Sequence, residues 1–397
     1  MARVLLTWEL GAGLGHLVPL AAMGRELTQA GHECAYALRD LGHAHVLLDV
    51  PRTRLYQAPL LLPERRGGEI AWTYADILAN IGYRDPAPLT GLLAAWRGIY
   101  ANFKPDLIVF DHAPTAQAAA RGLNIPTVLL ARSGFTIPPA ITPMPRVRSG
   151  NSNGGSRAQD LERETAVTRV LNAAFESLDI PPLECVGQLF DAGARILLSV
   201  PELDAYGPRD NVEYWGPLET AGGAPPEWPT TNGPKIFAYL RAFQTRPALL
   251  DALRASGASV VAHISGMEPA ECAQQSSNTM KISPQIIDVR RALAECDLVV
   301  THGGSLVASA LVAGKPLLML PLHLEQQLTA SAVETLGAGL SAPRLLPEGM
   351  RNKLDRLLRE PAFGAAARAF ATRYPQYPAP LEGRFVALTE RLLNARR

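Results

Sequence analysis

Short apolar runs of strand length recur along the chain, each followed by a stretch whose apolar residues return every three or four positions. Residues 4–6 run into helical spacing over 17–30, residues 107–110 into 115–123, and a further run follows at 127–130. Such alternation predicts a parallel sheet with helices on both faces. The rhythm restarts later, with strands predicted over 235–239, 259–263, 298–301 and 316–321 and helices over 247–256 and 288–295. Between the two series lies 217–234, with Gly222, Gly223, Pro225, Pro226, Pro229 and Pro234. That composition breaks regular structure and reads as a linker. The expected organisation is therefore a first α/β domain over 1–216, a linker over 217–234, a second domain over 235–360 and a helical tail over 361–397. Pro375, Pro378 and Pro380 split the tail into two helices. A second breaker-rich stretch, 137–157, reads with even weight as a plain surface loop or a functional one.

Composition narrows the class of protein. The 397 residues carry 38 Lys and Arg against 37 Asp and Glu, a net charge of +1, with no long block of one sign. Nucleic acid is thereby a poor expectation, since phosphate binding leaves a clustered basic footprint. With 47% hydrophobic and 19% charged residues, the chain has material for buried cores. No apolar run reaches the roughly 18 residues of a membrane span. The N-terminus reads as a strand rather than a cleaved leader. Cys34, Cys185, Cys272 and Cys296 are dispersed, without a Cys-x-x-Cys pair. A cytoplasmic protein with reduced thiols is expected.

Residues able to carry chemistry gather where predicted strands end. Residues 11–16 read Gly-Ala-Gly-Leu-Gly-His and open a helix, which brings backbone N–H groups toward a ligand. The dinucleotide fingerprint is broken because His16 stands at its third glycine, although Asp40 could act as a ribose-binding acid. His16 is either an imidazole at the ligand crevice outside the strand ends or a helix cap. Asp111 ends its own strand and either orients His16 or caps the next helix. His112, His43 and His45 lack the spacing of a metal site. At 301–305, Thr-His-Gly-Gly-Ser exposes unpaired helix N–H groups and a positive dipole end to an anion, phosphate above all. His302 and Ser305 could add donors there. Glu325 and Gln326 follow the last predicted strand and suit sugar hydroxyls.

At this point the residues resemble a known family. Asp297-Leu-Val-Val-Thr-His-Gly-Gly-Ser305, Ala310-Leu-Val-Ala-Gly-Lys-Pro316 and Pro321-Leu-His-Leu-Glu-Gln326 are similar to the donor-binding signature of family 1 nucleotide-sugar glycosyltransferases. Gly15-His-Leu-Val-Pro19 with Ala30-Gly-His-Glu33, and Pro105-Asp-Leu-Ile-Val-Phe-Asp111 with Asn124-Ile-Pro126, match the family in order and spacing. The likeness is strong near both ends and weak from 132 to 232.

The resemblance implies a GT-B fold, two Rossmann-like doubly wound domains facing a central cleft, with the last helices crossing back to the first domain. It implies an inverting, metal-independent transfer of a hexose from a nucleotide-diphosphate sugar, UDP- or dTDP-linked, to a hydroxyl of a small hydrophobic acceptor. No cofactor is implied beyond that co-substrate. His16 would be the general base and Asp111 its partner. His302, Gly303, Gly304 and Ser305 would hold the diphosphate, Pro284 and Gln285 would lie near base and ribose, and Glu325 and Gln326 would contact the sugar. The chain departs from the family after Gly304, where it is one residue short, lacks Gly-Thr and has Ser309 at the acidic ribose position. Arg241, in place of a small-residue loop, reads equally as a phosphate ligand or an exposed charge. The aromatic residues Trp72, Tyr74, Tyr83, Trp96, Tyr100 and Phe103 form either an acceptor pocket or core. The competing readings are a nucleotide-sugar epimerase on the same fold and a non-catalytic protein that binds a nucleotide or a partner.

Overall fold

Each predicted alternation of strand and helix becomes one parallel sheet. The computed structural model describes residues 1–13, 15–61, 70–148, 155–218, 222–342, 347–377, 381 and 383–395. The first series holds β1 (Arg3–Trp8), α1 (Leu17–Gln29), β2 (Glu33–Leu38), β3 (Arg54–Gln57), α2 (Tyr74–Asn80) and α3 (Pro86–Phe103). It continues with β4 (Leu107–Asp111), α4 (Pro114–Ala120), β5 (Thr127–Ala131), α5 (Arg157–Glu176), β6 (Ala194–Leu197) and β7 (Glu213–Tyr214). The second comprises β8 (Lys235–Arg241), α6 (Arg246–Ala255), β9 (Ser259–Ser265), α7 (Pro269–Gln275), β10 (Met280–Ser283) and α8 (Val289–Glu295). After these come β11 (Leu298–Thr301), α9 (Ser305–Val312), β12 (Leu317–Met319), α10 (Leu324–Thr335) and β13 (Gly339–Ser341). α11 (Pro347–Arg359) follows, and the tail carries α12 (Pro361–Ala371) and α13 (Arg384–Asn394).

The strands order as β3-β2-β1-β4-β5-β6-β7 in one sheet and β10-β9-β8-β11-β12-β13 in the other. Every pairing between these strands is parallel. Central strands of such sheets are covered on both faces, and their sequences are accordingly apolar throughout. β4, Leu-Ile-Val-Phe-Asp, is buried at all five positions. In β8, Ile236, Ala238 and Leu240 enter one core while Phe237 enters the other, the two-residue period of a strand between two helical layers.

Two compact units result, one of Met1–Leu198, Tyr206–Trp215 and Leu381–Arg397, the other of Ser199–Ala205 and Gly216–Pro380. The two tail helices fall in different units. α12 packs on α9, whereas α13 packs on α1, where Arg391 meets Glu213 at 2.9 Å and Phe385 meets Trp215. The proline-rich stretch after Gly216 lies along the second unit. Ala224 bridges to Ile287, and Trp228 donates through Nε1 to Glu295 at 2.6 Å.

Three expectations change. Tyr74, Tyr83, Trp96, Tyr100 and Phe103 are all core residues, so the aromatic segment mainly supports α2 and α3, and of these five Tyr83 also lines a cavity of about 270 Å³ with Ala75, Asp76, Arg163 and Val167. The first half of the 137–157 loop is packed. Met144 N–H donates to Glu164 at 2.6 Å and Val147 N–H to the Trp72 carbonyl at 2.8 Å, while Ile137, Met144 and Val147 are buried. Its glycine stretch, 149–154, lies outside the described residues. Glu325 and Gln326 sit in the first turn of α10 rather than at a strand end, because β12 stops at Met319.

Candidate functional site

In each sheet the chain winds outward from a central strand and then returns to that strand's other side. The crevice outside the C-terminal ends at such a switch point is where ligands of α/β proteins bind. In the first unit the switch lies between β1 and β4, and in the second between β8 and β11. His16 follows β1 and Asp111 ends β4, while Arg241 ends β8 and His302 follows β11. Strand order alone thus delivers these four residues to two crevice edges.

In the first unit, His16 Nδ1 lies 2.8 Å from Asp111 Oδ1. With Asp111 as a carboxylate, Nδ1–H donates and Nε2 keeps its lone pair, the arrangement of a general base. Asp111 is 1% exposed. Burial pushes its carboxyl up, against the pull of His16 and Arg132 toward the charged form. Its second oxygen, Oδ2, is buried and accepts no hydrogen bond among the described residues. The capping alternatives fail geometrically: His16 makes no side-chain cap on α1, and α4 has Ala113 at its N-cap without a side-chain bond.

Trp8, which sequence reasoning passed over, shapes this dyad together with His112 and Gly11. Trp8 stacks on the His16 ring with centroids 5.5 Å apart and planes 16° apart. The His112 ring lies 5.9 Å away on a 35° tilt. His112 is held in left-handed backbone, φ 45°, where its carbonyl accepts from Leu10 N–H at 2.9 Å. Although the residue is partly exposed, its Nε2 is buried and unpartnered among the described residues. Burial, then the neighbouring His16 and Arg39, pushes its pKa down to about 3, so it stays neutral. Gly11 closes the group. A Cβ there would lie 2.2 Å from His16 Nε2, and its φ is +87°. The only sequence signal for Trp8 was its place at the end of the first predicted strand, and its register opposite Asp111 appears only in the structure.

In the second unit, His302 is 4% exposed and both of its ring nitrogens face backbone carbonyls, Nδ1 to Leu320 at 2.8 Å and Nε2 to Arg241 at 3.2 Å. Burial lowers its pKa against these two bonds, which favour the charged ring. A neutral ring donates to only one of the two carbonyls, and the closer Leu320 takes the proton. Phe243 stands edge-on to the ring at 4.9 Å. Gly304 is the N-cap of α9 and Ser305 its first residue. Both glycines have positive φ, 125° at Gly303 and 77° at Gly304. Gln326 packs against Gly303, where a Cβ would be 3.0 Å from its Cγ, and its Oε1 accepts from Leu322 N–H at 2.8 Å. The structure therefore brings His302, the Arg241 backbone, Gly303, Gly304, Ser305 and Gln326 together. Glu325 is half-buried beside them in sequence, and the Arg241 side chain is exposed. Pro284 and Gln285 stand apart at the exposed end of β10, where Ser283 Oγ donates to the Gln285 carbonyl at 2.8 Å. Ser309 is buried inside α9, 5% exposed.

Among the described residues no three His, Cys, Asp or Glu side chains gather as metal ligands, and no helix is long and apolar enough to cross a membrane.

No protein-family model matches this chain. It is 42% identical to the elloramycin glycosyltransferase ElmGT of Streptomyces olivaceus over 91 residues, which is 23% of each protein. A PGL/p-HBAD biosynthesis glycosyltransferase of Mycobacterium tuberculosis is 26% identical along 96% of this chain and 91% of its own length. Among solved structures, the glycosyltransferase VinC in complex with dTDP is similar with a TM-score of 0.63 at 20% identity, over 98% of this chain and all of VinC. The calicheamicin glycosyltransferase CalG4 is similar with a TM-score of 0.67 at 20% identity, over 100% of this chain and 98% of CalG4. These two share the fold.

Proposed function

We propose that this chain, a GT-B glycosyltransferase of the bacterial family 1 type, moves a hexose from a nucleotide-diphosphate sugar to a hydroxyl of a small apolar acceptor, with inversion and without a metal. The observation that carries this reading is the 2.8 Å His16–Asp111 contact at a sheet switch point. A binding module has no use for a buried carboxylate behind an imidazole, and an epimerase needs acid–base groups in the donor site instead.

In this reading His16 Nε2 takes the proton of the acceptor hydroxyl as its oxygen attacks the anomeric carbon, and Asp111 stabilises the imidazolium that forms. The bond from the anomeric carbon to the diphosphate oxygen breaks from the opposite face, which inverts the centre. The leaving diphosphate is held by the N–H groups at the start of α9 and by His302. These donors supply the positive charge that a cation would otherwise bring. For the diphosphate to reach His302 Nε2, the Arg241 carbonyl has to give up its place. The dTDP bound to VinC supports a thymidine or related pyrimidine donor. The names of ElmGT and of the mycobacterial relative support a natural-product or lipid acceptor.

The test is calorimetric titration with UDP- and dTDP-sugars in EDTA, followed by acceptor screening with the donor that binds. Micromolar binding in EDTA, with turnover that is lost in His16→Ala while binding stays, is the expected result. Absence of binding by every donor would overturn the proposal and favour the non-catalytic reading. Turnover by His16→Ala at the wild-type rate would remove His16 from the mechanism.

A further inference from the structure

The hydrogen bond to Asp111 fixes one edge of the His16 ring but does not by itself set the plane of the ring. Something else sets its plane. Trp8 lies directly opposite Asp111 in the parallel register of β1 and β4, so both side chains project from the same face of the sheet at the same level. The indole is itself immobilised. It is 2% exposed, and its Nε1–H donates to the Leu10 carbonyl at 2.6 Å. Its face lies nearly parallel to the imidazole, 5.5 Å between centroids.

We infer that Trp8 is a positioning residue for the transfer, holding the plane of His16 and stabilising the imidazolium through its π face. This rests on His16 being the base. An indole face is the strongest of the aromatic partners for a cation. Among the described residues, the titratable or charged groups near His16 include Asp111 and His112 at the end of β4, Arg132 after β5, whose Nη1 reaches the Gly15 carbonyl at 3.4 Å, and Glu9 and Arg39, which are joined through the Glu9 carbonyl. None of these stacks on His16 as Trp8 does. His112 stays neutral and does not compete for the proton.

The experiment is a histidine side-chain NMR titration of the full chain, with the His16 signals assigned by their loss in His16→Ala. In the wild type, indole ring current displaces the His16 signals upfield at every pH. In Trp8→Leu the displacement vanishes, and the His16 midpoint falls by about half a pH unit to one unit. Trp8→Phe keeps most of both effects. His16 signals at unstacked positions in the wild-type spectrum would overturn the inference, even if Trp8→Leu failed to fold. So would identical His16 titrations in wild type and Trp8→Leu. The base assignment is judged separately, by turnover of His16→Ala. Wild-type turnover there would remove the base and leave the stack in place.

Discussion

Glu9, immediately after Trp8, is 3% exposed. Its Oε2 accepts from Thr115 N–H at 2.8 Å and Ala116 N–H at 3.3 Å, while Thr115 Oγ1 donates to Oε1. It thereby supplies from another strand the cap that Ala113 cannot give to α4, and it ties the end of β1 to the helix that follows Asp111. Burial raises its pKa from 4.5 to about 7, although Thr115, Ala116 and Arg39 all favour the carboxylate. The native state then keeps a proton that the unfolded chain releases above pH 4.5. Glu9 therefore stabilises the fold fully below pH 4.5, and this contribution is lost as pH rises to about 7. A shift of this size corresponds to about 3 kcal/mol. Glu9→Gln holds the same place without titrating, so the wild type should lose about 3 kcal/mol relative to Glu9→Gln between pH 4.5 and 7.5. The assay is urea unfolding at several pH values, followed by tryptophan fluorescence. Trp8, Trp72, Trp96 and Trp215 lie in the first unit and only Trp228 in the second, so the signal reports mainly on the unit that holds Glu9. Parallel curves for the two proteins would refute the reasoning and show that the three donors offset burial completely.

Gly11→Ala should cost at least 100-fold in turnover, because the new Cβ drives His16 Nε2 off its place, while donor binding measured by calorimetry stays unchanged. Retained turnover would mean that the ring has another working position. Asp111→Asn should keep the ring in place but lower kcat by about 10²- to 10⁴-fold, in line with loss of the correct tautomer in related dyads. A loss confined to KM would contradict an orienting role. Burial lowers the His302 pKa, and an anion at Nε2 would raise it again, so binding takes up a proton and dTDP-glucose should bind more tightly as pH falls from 7.5 to 5.5. His302→Gln should flatten that dependence, and a flat wild-type profile would remove His302 from the diphosphate site.

What the sequence made legible was governed by local rules. β1, β4, β8 and β11 stand out as apolar runs because they are covered on both faces, and His16, Asp111 and His302 stood out because each lies at or just beyond the end of such a run. α2, α3 and α5 were not read as helices. Their starts did carry signals: Thr73 and Ser156 open capping boxes with Asp76 and Gln159, and Asp85 caps Ala87 ahead of Pro86. The aromatic residues of α2 and α3 were ambiguous. A large aromatic stripe has the same spacing whether it faces a core or a ligand, and only the neighbours decide.

The residues that sequence reasoning missed share one property: their partners are set by register and not by spacing. Trp8 meets Asp111 across two paired strands more than a hundred positions apart in sequence, and Glu9 reaches Thr115 across the same seam. Gly11 was read only as part of the glycine turn, and its closeness to the His16 ring depends in turn on Asp111 and Trp8. The pairing of β1 with β4 therefore places Asp111, the partner of His16, together with the Trp8 face and the cap of the next helix in one step. A shift of that register by one residue would turn Trp8 and Asp111 to opposite faces of the sheet. The buried Thr7 hydroxyl opposes such a shift by donating to the Val109 carbonyl at 2.9 Å. In the second unit His302, Gly303, Gly304 and Ser305 are consecutive, so the motif is visible in sequence even though the Arg241 and Leu320 carbonyls of neighbouring strand ends fix the His302 ring. That difference explains why the candidate diphosphate site was readable as a motif, whereas the His16–Asp111 site showed only those two members.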